Sequence, residues 1–453
     1  MKERHVQALV AEIGSTTTVV NAFDCLETDP VFVGQGQHHT TVGEGDVSIG
    51  LQEAINDLKR NIGCDELTRD TMLATSSAAG GLRVTVHGLV YDMTVKAARE
   101  AALGSGGVIK WVTAGKLSDF DIKQVKKLNP NLIIIAGGTD YGERETALFN
   151  AEKIWEAGIR LPVLYAGNIQ NQAYLKEMAA HYDTPFYLTD NVYPALDQLN
   201  IEPTRQLIHQ IFEEHIIHSP GMEHIRDMVD GPILPTPGAV MEMAITAAEQ
   251  WPDLMVVDVG GATTDIHSVT DGDEDVAKLM TNVEPKAKRT VEGDLGVYVN
   301  RAHVVDLFEE REREREIPKA DEFLARPSEI PTDPEEREFV EKLTEKAWAT
   351  ALRRHAGKMK NLFGPTGKIT VASGKDLSGI RNILVTGGAL THARDVEALL
   401  KKELAGHHPG ALYPPTDVRV HKDNHYIMAS LGVLSRVYPE AAITLLRKSL
   451  KGD

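Results

Sequence analysis

Residues 254–269 read LMVVDVGGATTDIHSV. An apolar strand runs into an aspartate, then two glycines and three small residues, and a second aspartate and another apolar run follow. A strand ending Asp-x-Gly-Gly brings bare backbone close to something, because glycine carries no side chain to keep it away. Residues 11–23, AEIGSTTTVVNAF, repeat the pattern: strand, acid, small turn with Gly, Thr pair, β-branched strand. Two such hairpins facing each other would clamp one polyphosphate from both sides. The backbone N–H groups of Gly14, Ser15, Thr16, Gly260, Gly261 and Ala262 would point at its oxygens, with Thr16, Thr17, Thr263 and Thr264 adding hydroxyl donors. Glu12 and Asp258 would stand beside the phosphates. Two carboxylates there call for a cation between, and Mg²⁺ suits because it keeps several waters and takes few carboxylates. Taken singly, each motif also fits a tight hairpin whose acid bonds its own turn; the pair favours the clamp. A third element, ILVTGGALTHARD, puts Gly387 and Gly388 where a strand meets a helix, and glycines there let a flat ring such as a nucleoside approach the backbone.

Composition sets bounds. A chain of 453 residues is too long for one core and should divide into domains. A net charge of −18 with no offsetting Lys/Arg cluster argues against nucleic acid. The longest apolar runs, such as LIIIA at 132–136, are too short to cross a bilayer. The start, MKERHVQALVAEIG, enters a strand with no secretory apolar region, so a cytoplasmic location and no membrane partner are expected. Cys25 and Cys64, the only cysteines, provide neither a disulfide framework nor a four-thiolate metal site.

Periodicity organises the rest. The first 75 residues read strand, strand, strand, helix, strand, the helix over 47–62 with Asp46 as N-cap. Residues 85–218 alternate strands of four to eight residues with helices of ten or more, which implies parallel βαβ units forming a doubly wound layer inserted into the first domain; 194–218 read as one or two amphipathic helices. GAVMEMAITAAEQW (238–251) is a helix leading into the quoted strand. The charged run at 309–336 is a solvated helix end and a Pro-punctuated connection. Residues 379–404 read strand, Gly-Gly turn, helix, and the chain closes on a strand at DVRVHK and a helix at NHYIMASLGVLSRV.

These segments together resemble the actin-like ATPase superfamily, the two-lobed α/β fold of sugar kinases, actin and heat-shock chaperone ATPase domains. AEIGSTTT resembles its first phosphate loop, DVGGATTD its second, LVTGGALTH its adenosine loop, and TPGAVMEMAITAAE (236–249) and YIMASLGVLS (426–435) its two connecting helices, all in the family's order. Glu12 stands where that family usually has Asp, and Ala262 where Gly is common. The resemblance implies a first lobe at 1–84, the inserted layer at 85–218 and a connecting segment and helix at 219–252. A second lobe with a helical insertion at about 300–375 would span 253–425, and C-terminal helices at 426–453 would return to the first lobe. It implies ATP and Mg²⁺ as cofactors, with Glu12 and Asp258 as the catalytic and metal-binding pair.

A narrower resemblance covers essentially the whole chain. LATSSAAGGLRVTVHGLV, IIIAGGTDYGERETALFNAE and KRTVEGDLGVYVN look like the GlmL/MutL family of accessory proteins, unrelated to the mismatch-repair MutL. The resemblance implies an ATP-driven reactivating chaperone for an adenosylcobalamin-dependent mutase, of glutamate mutase or aminomutase type, that frees it of inactivated cobalamin. The mutase subunits would be the partners, and a homodimer is left open. Two rivals share the fold: a small-molecule kinase, which needs an acidic base over a substrate hydroxyl, and an actin-type scaffold or filament.

Four residue sets stay open in the sequence. Lys288 and Arg289 would reach the nucleotide or form a surface pair on a loop. Glu292 and Asp294 would orient a water or cap a helix. Gly137, Gly138, Asp140, Glu143, Arg144, Asn168 and Asp190 stand at strand ends of the inserted layer, where open parallel sheets bind ligands, although turn chemistry alone explains such residues. No Asp-x-His-x-x-Gly stretch offers a histidine to cobalt. His215 and His218 share a helix face but lack a third ligand, which points to a structural or surface role.

Overall fold

The structure is a computed structural model that describes residues 2–452 except 42–44, 78–81, 106, 217–221, 282–283, 327, 329–330 and 365–366. The chain forms two compact units, one of Met1–Ala78, Asp227–Thr281 and Lys286–Asp453, the other of Ala79–Arg226 and Asn282–Pro285.

In chain order the strands are β1 (Glu3–Ile13), β2 (Thr17–Asp24), β3 (Val31–His39), β4 (Glu66–Ser76), β5 (Arg83–Gly88), β6 (Val108–Ala114), β7 (Leu132–Ile135), β8 (Val163–Tyr165), β9 (Phe186–Leu188), β10 (Leu234–Pro235), β11 (Leu254–Val259), β12 (Thr264–Val269), β13 (Ala287–Glu292), β14 (Lys358–Gly364), β15 (Gly367–Ser373), β16 (Asn382–Thr386) and β17 (Arg419–Lys422).

The first unit holds the same sheet twice. One sheet runs β10-β4-β1-β2-β3 and the other β17-β16-β11-β12-β13. In each, an antiparallel three-strand meander is extended by two parallel strands. The inward faces alternate with period two, as strands require. Ala8 and Val10 of β1 and Leu254 and Val256 of β11 join one buried cluster with the helices Thr236–Ala247, Met428–Leu434 and Pro439–Lys451. A side chain at Gly432 would lie 1.9 Å from the Ala239 carbonyl oxygen, so the two connecting helices meet backbone to backbone. This duplicated sheet with a shared helical layer is the two-lobed actin-like ATPase fold. On the outer face of the second sheet, Met255, Val257 and Ile383 pack with Trp348 and Leu352 of the helix Pro334–His355.

Local signals explain the elements. Asp46 accepts from the Ser48 amide and Gly63 (φ 68°) closes the helix Val47–Ile62. Asp333 caps Pro334–His355, with Pro at the start and three basic residues in the last turn.

Three expectations are corrected. The helical insertion at about 300–375 ends in a β-hairpin, β14–β15. KRTVE is not a loop but β13, fully paired to β12. The helix after Gly387-Gly388 breaks: a short turn at Gly388–Thr391 gives way to Val396–Leu404, because the Arg394 amide and guanidinium bind Glu341 at 2.8–3.1 Å and Asp395 caps a new helix. The His215 side chain and all of His218 lie outside the described residues.

The second unit is one parallel sheet, β6-β5-β7-β8-β9, a doubly wound order whose direction of winding switches between β5 and β7. Ser118 and Asp121 form a capping box on the helix Asp119–Leu128.

Candidate functional site

The two quoted segments fold into the same turn. β1 and β2 close on Ile13 opposite Thr18, and β11 and β12 on Val259 opposite Thr264, leaving four residues in each loop. The Gly14 amide donates to the Thr17 carbonyl at 3.0 Å, and the Gly260 amide to the Thr263 carbonyl at 2.9 Å. A side chain at Gly14 would meet that Thr17 oxygen at 2.5 Å, so the first turn excludes one. The turns lie close together: a Cβ on Gly261 would be 3.7 Å from Thr16 Oγ1.

Behind the turns stand the acids. Glu12 lies opposite Val19 and next to Thr75 in its sheet; Asp258 lies opposite Asp265 and next to Thr386 in the other. Glu12 is buried, with Oε1 accepting from the Tyr426 hydroxyl at 3.0 Å and Oε2 without a partner. Burial lifts its pKa to about 7 against the opposing Tyr426 bond. Asp258 is lifted to about 8 by burial, then by Asp265 and Glu12, with Arg289 opposing. Like charges gathered in a low-dielectric interior each favour the neutral form. Asp265 is also raised by burial and is tied to Arg289 at 3.1 Å, its other oxygen unpartnered. Orphaned carboxylate oxygens and mutual repulsion are what a bound cation would relieve. Among the described residues no three metal-binding side chains are gathered, so the set fits an ion that keeps most of its waters, as Mg²⁺ does, and not a closed cage.

The other candidates separate. Lys288 and Arg289 are buried on β13 and, as neighbours on a strand, point to opposite faces. The surface pair is therefore corrected. Arg289 reaches the acids through Asp265, whereas Lys288 donates to the Thr270 carbonyl at 2.7 Å, away from the turns. Thr264 is withdrawn as well, its hydroxyl donating to the Leu295 carbonyl at 2.8 Å in the interior. Glu292 and Asp294 hold Arg354 at 2.6–3.0 Å, so they form a clamp and not a helix cap. Gly387 (φ 86°) packs its bare Cα against Asp258, where a Cβ would lie 2.3 Å from Oδ1; a Cβ on Gly388 would meet nothing within 4 Å. Gly387 thus shapes the acid site and Gly388 borders open space, as a ring-binding position requires.

In the inserted sheet four of the strand-end polar groups serve their own loops, and Asp190 is exposed. Asp140 accepts from the Ile169 amide and Asn191, Glu143 from the Thr146 amide and hydroxyl, and Arg144 donates to Asn171 and the Gln170 carbonyl. Asn168 caps the turn at Ile169–Asn171.

Three further residues belong to the site. Tyr426, in left-handed backbone (φ 52°), delivers the hydroxyl to Glu12. Asp423, fully buried, accepts from Thr386, Ser449 and the amides of Ile427 and Met428, fastening the second connecting helix to the second sheet. Asp265 was visible as the second acid of DVGGATTD, but only the strand pairing shows that it faces Asp258.

Among the described residues no helix is long and apolar enough to cross a membrane. Solved structures similar to the chain include a diol dehydratase-reactivating factor in nucleotide-free form, 14% identical with 95% of this chain and 99% of that one covered and a TM-score of 0.34. Another is a Plasmodium falciparum glycerol kinase with ADP, 13% identical with 99% and 92% covered and a TM-score of 0.32. At such scores the fold rests on the duplicated sheets themselves. Sequence similarity is more specific: Protein MutL of Clostridium tetanomorphum is 32% identical over 458 residues, covering 98% of either chain. A family model described as MutL protein matches residues 8–450, and the chain belongs to that family.

Proposed function

We propose that the chain binds ATP with Mg²⁺ between its two turns, hydrolyses it, and spends the difference between its nucleotide states on remodelling an adenosylcobalamin-dependent mutase, so that inactivated cobalamin is released. The observation that carries this reading is the same four-residue turn built twice, with Gly261 facing Thr16 and a carboxylate behind each. The amides of Ser15, Thr16, Gly261 and Ala262 hold the phosphates, with hydroxyls from Thr16, Thr17 and Thr263; Gly14 and Gly260, expected to join them, instead close the turns through their bonds to the Thr17 and Thr263 carbonyls. Glu12 and Asp258 would hold Mg²⁺ through its waters, and the ion would neutralise charge on the transferring phosphoryl group. Arg289 balances Asp265 and keeps it aimed at Asp258. Gly388 leaves room for the adenosine. Membership of the MutL family supports an accessory role, and the mutase as partner follows from the family resemblance of the sequence.

Coupling requires that ATP and ADP forms prefer different partner states, because a ligand shifts an equilibrium only through differential affinity. Switching from almost fully bound to almost fully released takes a preference of about 10⁴. A nucleotide tying both turns together would draw the two sheets closed about the helices that meet at Ala239 and Gly432. The test is recovery of a cobalamin-inactivated mutase. Turnover should return only with this chain, ATP, Mg²⁺ and fresh adenosylcobalamin together, and damaged cobalamin should leave faster with ATP than without. Equal release without nucleotide rejects the proposal and favours a kinase or scaffold.

A further inference from the structure

Large apolar side chains are exposed unevenly on the second unit. Eight of the fifteen in the described residues belong to it, and all eight lie on the loops or early helical turns that follow the carboxyl ends of its strands. None lies on the described connections at the opposite edge. Three of the eight are occupied locally: Phe149 sits under Lys116 and Lys153, the Tyr174 hydroxyl bonds Glu152, and the Phe120 ring meets Trp111 edge to face at 6.2 Å. The other five come from four of the connections: Val90 and Tyr91 after β5, Tyr141 after β7, Ile169 after β8 and Leu196 after β9. Tyr141 is 78% exposed and Leu196 72%. Tyr141 also holds φ at 62°, a conformation bulky residues rarely adopt, fixed by its amide donating to Asn168 Oδ1 at 3.3 Å. Strain kept in place to display an aromatic ring in water marks a binding surface.

The rim of this edge is acidic. Asp92, Glu143, Glu145, Asp190 and Asp197 are exposed in the same connections, as is Asp119, which is paired to Lys153 at 2.9 Å. The exposed bases there are Lys116, beside Phe149, Arg144, which is committed to Asn171 and the Gln170 carbonyl, and, in the second helical turns, Lys123 and Lys176, outnumbered by the acids. An acidic rim repels a second copy of itself and attracts a basic one.

We infer that the carboxyl edge of the inserted sheet is a docking surface for a partner protein presenting an apolar patch ringed by Lys and Arg. This rests on the accessory reading, for which the partner is the mutase. Aromatic and aliphatic side chains at the centre supply the affinity, and the acids supply steering and orientation. Asp140, Glu143, Arg144 and Asn168, being used by their own loops, keep the edge rigid.

The test titrates the full-length chain onto an immobilised adenosylcobalamin-dependent mutase of glutamate mutase type, at low and high salt. The variants are Tyr141→Asn with Leu196→Ser, and separately Asp190→Lys with Asp197→Lys. Melting midpoint and ATP affinity are measured on the same samples. The expected result is mutase binding weakened about tenfold or more by the apolar pair. The charge-reversed pair should bind more weakly and lose its salt dependence, and ATP affinity should be unchanged in both. Wild-type binding that both pairs leave intact overturns the docking edge alone. Failure of the wild-type chain to bind any such mutase overturns the accessory reading and this inference together. Self-association of the wild type that the apolar pair abolishes, without mutase binding, assigns the edge to a second copy and also overturns it.

Discussion

The two sheets of the first unit share strand order, loop length and closing hydrogen bond, and they differ in charge. Behind the first turn, Glu12 faces Val19, and the strands beyond carry a neutral network in which Gln35 donates to Asn21 and Asn21 to Ser430, both at 2.9 Å. Behind the second turn, Asp258 faces Asp265, which is tied to Arg289, with His267 buried beside them, its ring neutral through burial and Arg289. The backbone frame is thus duplicated while the chemistry is not. The first half sets a single acid against a neutral network, and the second sets two acids against an arginine. Buried ions are costly unless paired, and the second half bears that cost where a Mg²⁺-bound phosphate would offset it.

Equivalent substitutions in the halves should therefore have unequal effects. Asp258→Asn should cut ATP hydrolysis by at least about a hundredfold, since metal support of transition-state charge is worth several kcal/mol. Glu12→Gln, with Tyr426 still bonded to the side chain, should cost about tenfold. Steady-state assays with saturating Mg²⁺ check this, and equal losses would break the comparison. The two glycines of the third loop divide in another way. Gly387→Ala should destabilise the chain by about 2–4 kcal/mol, from a φ and a contact no Cβ allows, read as a lowered denaturant midpoint. Gly388→Val should leave that midpoint nearly unchanged and weaken nucleotide binding by about tenfold or more, because the branched side chain fills the ring's space. Unchanged affinity would place the adenosine elsewhere.

A smaller effect concerns protons. Glu12 and Asp258 have folded pKa values raised to about 7 and about 8. Their contribution to stability is therefore present at low pH and is lost as pH rises through those values. The nucleotide-free protein should lose stability between about pH 5 and 8, and Asp258→Asn should flatten that slope. Binding of Mg²⁺ with ATP at pH 7 should release protons, seen as a dependence of titration heat on buffer ionisation enthalpy. Tyr426→Phe removes the one bond that lowers Glu12, so it should shift the profile upward. A buffer-independent heat would argue against protonated carboxylates at the site.

Much of this was legible in the sequence, for identifiable reasons. Turns are local: the strand, acid, glycine and threonine pattern at 11–23 and 254–269 specified both hairpins, and alternating elements at 85–218 specified a parallel sheet. What needed the fold was side-chain direction and long-range partnership. Lys288 and Arg289 are adjacent in sequence, and only the pairing of β13 to β12 separates them onto opposite faces. Tyr426 lies 414 residues from the Glu12 it bonds. The β14–β15 hairpin was missed because β15, GKITVAS, shows little alternation, its first three residues all being exposed, and the charged sequence before the hairpin favoured helix.

The claim that one nucleotide joins the two halves is tested most directly by hydrogen–deuterium exchange of the full-length chain with and without Mg²⁺ and ATP. The predicted result is slowed exchange in both turns, 14–17 and 260–263, lost in both when Asp258 is Asn. Protection of one turn alone, or of neither at saturating ATP, would contradict it.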